Sequence, residues 1–248
     1  MFGEAGGLLS RYQAAKDAGF NAVECAFPYS VPEQQLATVL KETGLKQVLI
    51  NSDPGDTEAG ELGFAAIPGQ EARFRESLER SISYAKALNY CIIIMSGRRS
   101  SDHDESAHLA TLEGNLKHAV ERLTGLIEPI NPVSIPGHYL NNYDTVRTVR
   151  VVQKMDSPHL CLQLDIFHLQ MITGNVTNII YKFIPLTGHV QVAQAHYRYE
   201  PSCPGELNYV FEKLNQAGYN GYIGAEYKPS SPESAASLKW MEQPNLTL

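Results

Sequence analysis

Short runs of apolar, strand-forming residues alternate with longer stretches of helical spacing, and the alternation continues from one end of this chain to the other. The apolar runs fall at 21–27, 46–51, 90–96, 126–131, 160–167, 189–194 and 221–227, which makes seven strands. Strands this apolar, separated by helices, describe a parallel sheet, because each helix must cross back over the sheet before the next strand begins. Repeating units of about 30 residues in a chain of 248 predict one domain over 1–248, an α/β (β/α)8 TIM barrel, with a doubly wound sheet as the alternative.

The helices carry their own start and stop signals. Ser30-Val-Pro-Glu33 reads as a capping box leading to Leu36, Val39 and Leu40 and ending at Gly44, and Ser230-Ser-Pro-Glu233 opens the last helix in the same way. The stripes Phe74, Leu78, Ile82, Ala85 and Leu109, Leu112, Leu116, Ala119, Leu123 fit helices lying on a sheet. Helical spacing near 7–18, 144–155, 175–184 and 209–217 brings the count to eight. Eight helices against seven strands leave the chain opening in a helix. The expectation is a barrel lacking its first strand at the N-terminus, with two unpaired edges, as a truncated or alternatively spliced product would have.

Composition narrows the partners. The chain has 20 Lys and Arg against 27 Asp and Glu, for a net charge of −7, and its longest basic run is Arg98-Arg99. Nucleic-acid binding draws on clustered cations, so no nucleic-acid partner is expected. The longest apolar stretches, such as Cys91 to Met95, fall far short of the roughly 20 residues that span a bilayer, so no membrane partner is expected either. The opening residues show no secretory signal, and Cys25, Cys91, Cys161 and Cys203 lack Cys-x-x-Cys spacing. They read as reduced thiols in a cytoplasmic protein.

In a parallel barrel the carboxyl ends of the strands form one rim, so polar groups there converge on one cavity. Four consecutive strands supply such groups: Glu128, Asp165, Gln191 and Glu226. A lone carboxylate inside an apolar strand carries a large desolvation cost unless it is paired or bound to a cation. Three carboxylates and one amide on one rim make an oxygen-rich site suited to Mg²⁺ or Mn²⁺. His168 and His189 stand near these residues, each as a substrate contact, an alternative ligand or a packed core histidine. Arg98 and Arg99, just after the third strand, would supply the cation for a substrate carboxylate. Arg198, Glu200 and Glu206 read as solvent-facing loop charge, and residues 52–70 as a lid or an ordered surface excursion.

Several segments together resemble a known family: Glu-Cys-Ala-Phe-Pro-Tyr at 24–29, Ile-Asn-Ser-Asp-Pro-Gly-Asp at 50–56, Glu-Pro-Ile-Asn at 128–131, Asp-Ile-Phe-His at 165–168, Gly-His-Val-Gln-Val-Ala at 188–193, Pro-Gly-Glu-Leu-Asn at 204–208 and Glu-Tyr-Lys-Pro at 226–229. The chain resembles the hydroxypyruvate isomerases of the xylose-isomerase-like TIM-barrel superfamily. The resemblance implies interconversion of hydroxypyruvate, a small 2-oxo acid, and tartronate semialdehyde, with Glu128 and Glu226 as proton donor and acceptor. Glu128, Asp165, Gln191 and Glu226 would form the shell of a divalent metal, and His168, Arg98 and Asn51 would bind substrate. The alternatives are a ketose 3-epimerase-like sugar isomerase and an inactive truncated or spliced product. A zinc-dependent repair endonuclease of the superfamily would need more strand-end histidines and a basic face.

Overall fold

A computed structural model describes residues 1–88, 91–143, 148–195, 197–201 and 204–242. Seven strands form one sheet: β1 (Ala22–Cys25), β2 (Lys46–Asn51), β3 (Cys91–Ile93), β4 (Gly125–Ile127), β5 (Leu160–Asp165), β6 (Thr187–Val192) and β7 (Ile223–Ala225). All pairings are parallel and follow chain order, β1 through β7, with no crossing point where the order reverses. A doubly wound sheet needs such a reversal. The architecture is therefore the expected α/β barrel, nearly closed, and β1 and β7 form its two edges.

Around it lie α1 (Leu8–Asp17), α2 (Glu33–Thr43), α3 (Glu71–Leu88), α4 (Glu105–Val120), α5 (Thr148–Met155), α6 (Ile166–Thr173), α7 (Val176–Phe183) and α8 (Pro204–Gln216). The start expected for the fifth helix, 144–147, and that of the third strand, residue 90, lie outside the described residues.

Three local expectations need correction. The capping box at Ser30 does not form: Pro32 holds the N-cap position without a side-chain bond, and the Glu33 carboxylate accepts the Ser83 hydroxyl from α3 instead. Ser230 caps nothing, because its N–H and hydroxyl both donate to Glu200, and the closing element is a 3-10 helix at Ser234–Glu242. The fifth strand stops at Asp165 rather than running to 167. There Asp165 Oδ1 accepts the Phe167 N–H at 2.8 Å and starts α6. That helix was hidden because Asp-Ile-Phe-His-Leu continues the apolar run of the strand, and periodicity does not separate a short buried helix from a buried strand.

Side chains alternate across the sheet. Leu162, Leu164, Val190 and Val192 face outward into the large core shared with the helices. The inward row begins with an apolar floor of Leu49, Ile93, Met95 and Leu126, joined by Cys161. Two residues further along their strands, the same inward parity yields Asn51 above Leu49 and Glu128 above Leu126. Gln163 and Asp165 continue it above Cys161. The barrel interior therefore changes from hydrocarbon to oxygen on approaching the carboxyl rim. Strand register aligns the rim: Asp165 is opposite Gln191, and Gln191 is opposite Gly224, two residues before Glu226.

Residues 52–70 are an ordered excursion. Gly63 bridges Ser96, the Ala66 N–H donates to Ser96 O at 2.8 Å, and Phe64, Ala65 and Ala66 are buried. Across the open side of the barrel, the first residues clasp the last element. The Phe2 N–H donates to Ser234 Oγ at 2.7 Å, and the Glu4 carboxylate accepts the Ser234 N–H at 2.6 Å. No helix among the described residues is long and apolar enough to cross a membrane.

Candidate active site

A cavity of about 490 Å³ lies along the seam between β7 and β1. Glu24, Asn51, His189, Gln191, Arg198 and Glu226 are among its walls. Glu128, Asp165 and His168 are buried and grouped together, joined to the cavity wall through Arg198, which bonds Asp165. Its Nη2 donates to Asp165 Oδ2 at 2.8 Å and to Glu226 Oε2 at 2.7 Å. The four strand-end residues chosen from sequence thus meet at one end of the barrel.

The carboxyls are strained electrostatically. Desolvation, reinforced by the charges of Glu226 and Asp165, drives Glu128 well above the usual carboxylate range. Burial lifts Asp165 to about 6 despite Arg198 and the bond from the Phe167 N–H. Glu226 rises to about 8, first through lost hydration, with Arg198 opposing and Asp165 and Glu24 adding to the rise. Because 41% of its side chain faces the cavity, solvent tempers that rise without reversing it. The site thus contains carboxyls that keep or release a proton near neutral pH.

His168 has a fixed tautomer. Its Nδ1 accepts the backbone N–H of Asn131 at 3.1 Å and the Asn131 side-chain amide at 2.7 Å. Burial, then the charges of Arg198 and His138, depress its pKa to about 3, so the ring is neutral and carries its proton on Nε2. That N–H points between Asp165 Oδ2 at 3.6 Å and Glu128 Oε1 at 3.9 Å, beyond bonding distance to either. Glu128, Asp165 and His168 have ligand atoms within 4.8 Å of one another and form a group able to hold a metal. The tautomer, however, makes His168 a donor to an oxygen in that space.

The donor set suits a divalent cation on a second ground. Glu128 Oε1 and Gln191 Oε1 are buried and have no hydrogen-bond partner among the described residues. Each orphan costs about 1–3 kcal/mol, and both are oxygen acceptors of the kind a hard cation takes as ligands.

Two residues escaped the sequence reading. Glu24 on β1 accepts Gln191 Nε2 at 2.9 Å and His189 Nε2 at 2.8 Å, which places His189 as a support for Glu24. A carboxylate within an apolar strand was the signal that selected the others, and Glu24 carries it one residue before the strand ends. Arg198, expected as solvent-facing charge, is instead the cation at the centre of the site. Arg98 is not brought to this site. It is exposed, its Nε donates to Gly60 O at 3.1 Å, and its Nη1 donates to Pro136 O. Asn51 lines the cavity, with its amide against Met95 Sδ at 3.4 Å. Glu206 has no described side chain.

A family model described as xylose isomerase-like TIM barrel matches residues 12–243. A human protein named putative hydroxypyruvate isomerase is 44% identical over 255 residues, covering 97% of this chain and 91% of that protein. A 2-oxo-tetronate isomerase from Cupriavidus necator is 39% identical, covering 95% and 92%. A crystal structure from Brucella melitensis described as AP endonuclease, family 2, superposes with a TM-score of 0.91 at 35% identity, covering 98% and 95% of the two chains. The chain belongs to the xylose isomerase-like TIM barrel family. Within it, the relationship to the human and bacterial enzymes makes it an isomerase.

Proposed function

We propose that this isomerase interconverts hydroxypyruvate and tartronate semialdehyde, with Glu128 and Glu226 carrying the proton. The observation that carries the reading is the pair of carboxyls held above the usual carboxylate range around one small space, beside the neutral His168 N–H and the Arg198 guanidinium. Moving the carbonyl from C2 to C3 requires a proton to leave C3 and one to arrive at C2, while the proton given up by the O3 hydroxyl is matched by one taken up at O2, which ends as the new hydroxyl. No electrons leave the substrate. One glutamate abstracts, the other returns, and the enediolate between them is planar, so the two carboxyls serve it from separate strands, β4 and β7.

The other side chains have roles that follow from their positions. His168 Nε2–H donates to a substrate oxygen as charge gathers there. Arg198 offers the substrate carboxylate a cation already inside the cavity, the role expected of Arg98. Asn51 bounds the substrate on the β2 side. Glu128, Asp165, Gln191 and Glu226 would hold Mg²⁺ or Mn²⁺, which supplies Lewis-acid polarisation of the substrate oxygens when bound. The 2-oxo-tetronate isomerase relative motivates a second substrate, one carbon longer, for the same chemistry. Nucleic acid is disfavoured by the net charge of −7 and by the acids lining the cavity. A reducing, cytoplasmic setting suits the free thiols of Cys25 and Cys161.

The test is to follow both substrates by NMR with the parent chain and with Glu128→Gln and Glu226→Gln. Each variant is expected to lose at least about a hundredfold in turnover. Turnover close to that of the parent in either variant overturns its role as proton carrier.

A further inference from the structure

Arg198 holds two of the four oxygens that a divalent cation would need. Its Nη2 bridges Asp165 Oδ2 and Glu226 Oε2, its Nε donates to Glu226 O at 3.3 Å, and its guanidinium carbon lies 4.7 Å from the Phe167 ring centroid. The two oxygens it leaves alone, Glu128 Oε1 and Gln191 Oε1, have no hydrogen-bond partner among the described residues. One guanidinium therefore satisfies half of a four-oxygen set and leaves the other half without a hydrogen-bond donor.

The backbone that delivers it is unusual. Tyr197 and Arg198 are consecutive non-glycine residues with φ of 60° and 55°, in the left-handed region. Such a turn persists when its surroundings hold it, and here the Lys228 N–H donates to Arg198 O at 2.9 Å while the Gln194 N–H donates to Tyr199 O at 3.0 Å. A strained turn fastened at both ends, with a partly buried cation at its tip, is built to place that charge.

We infer that Arg198 is an internal competitor for the metal: a cation entering the site must displace the guanidinium from Asp165 and Glu226, and Arg198 thereby sets the metal affinity. The inference rests on the metal reading above. With its charge removed, three carboxyls face one another with less compensation, and the site attracts a divalent ion more strongly. With its charge present, two charge-assisted hydrogen bonds must break before both carboxylates can ligate.

The experiment titrates the whole chain with Mn²⁺ by calorimetry, without substrate, for the parent, Arg198→Gln, Arg198→Lys and Glu128→Gln. Removing the guanidinium is expected to tighten Mn²⁺ binding by about tenfold to a hundredfold, with lysine intermediate because a point charge does not bridge two carboxylates as a planar fork does. In parallel, the Arg198 Nε–H resonance, assigned by its loss in Arg198→Lys, should shift when Mg²⁺ is added to the parent. Equal or weaker Mn²⁺ binding in Arg198→Gln, with Glu128→Gln still abolishing it, overturns the competition and leaves the metal site standing. Binding in none of the variants, or binding indifferent to Glu128, overturns both. If Arg198→Gln fails to fold, the lysine variant and the resonance shift decide: unchanged affinity or an unmoved resonance overturns the inference.

Discussion

Glu24 Oε1 accepts the Gln191 side-chain amide across the seam of the barrel, from β1 to β6, and the bond leaves the Gln191 carbonyl oxygen as the free end of that amide. An amide has two faces of opposite character, and this contact decides which one the site receives. Groups that orient a ligand commonly matter by about 10- to 100-fold in activity or metal affinity, so Glu24→Ala should reduce both by that factor. Gly224→Ala offers a second route to the same defect, since a Cβ there would lie 2.4 Å from Glu24 Oε1. Steady-state kinetics and Mn²⁺ titration of both variants check the argument. Full activity in Gly224→Ala would show that the orientation is dispensable.

Asn131 fixes the proton of His168 on Nε2. Asn131→Ala removes one of the two donors to Nδ1 and allows the ring to rotate. Turnover should drop about tenfold with little change in thermal midpoint, and ¹⁵N chemical shifts of the His168 ring should report a mixed tautomer. A ring that stays wholly in the Nε2–H form would mean that the backbone N–H suffices.

His138 is a buried neutral histidine whose Nδ1 donates to Leu140 O and whose Nε2 meets the Ser96 hydroxyl at 3.2 Å. Burial first, and then Arg98, lower its pKa from 6.5 to about 4. A depressed value means that the unfolded chain takes up the proton more readily. The stability it contributes is therefore complete above about 6.5 and is withdrawn as pH falls toward 4. The parent should lose up to about 3 kcal/mol more than His138→Gln over that interval, as read by urea unfolding at several pH values. Parallel pH profiles would exclude His138 as a source of acid sensitivity.

Gln163 lies fully buried beneath Asp165 on β5, and neither its amide oxygen nor its nitrogen has a hydrogen-bond partner among the described residues. An apolar side chain of similar volume removes that cost, so Gln163→Met should stabilise the chain by about 1–2 kcal/mol. A lower melting temperature would instead mean that the amide supports the carboxylates above it.

The barrel was legible because its determinants are periodic: seven apolar runs mark seven strands, and inward parity places Glu128, Asp165 and Gln191 on one rim. Glu24 obeyed the same rule and went unassigned only because it sits one residue short of the end of its strand. The helix after Asp165 was masked by an unbroken apolar run, where strand and helix call for the same residues. Arg198 left no trace of this kind. Its place depends on two left-handed backbone conformations in a loop and on contacts 28 and 33 positions away in sequence. Arg98 looked equivalent on paper, but carbonyls of neighbouring loops had already claimed it.

The ring of strands is split like a collar, and the split runs through the working cavity. Between β1 and β7 no ladder carries load; Glu24 resting on Gly224 and the Phe2–Ser234–Glu4 clasp hold the lips together. Mild heat or urea should therefore spread the lips and silence the enzyme while its helical circular dichroism is still intact.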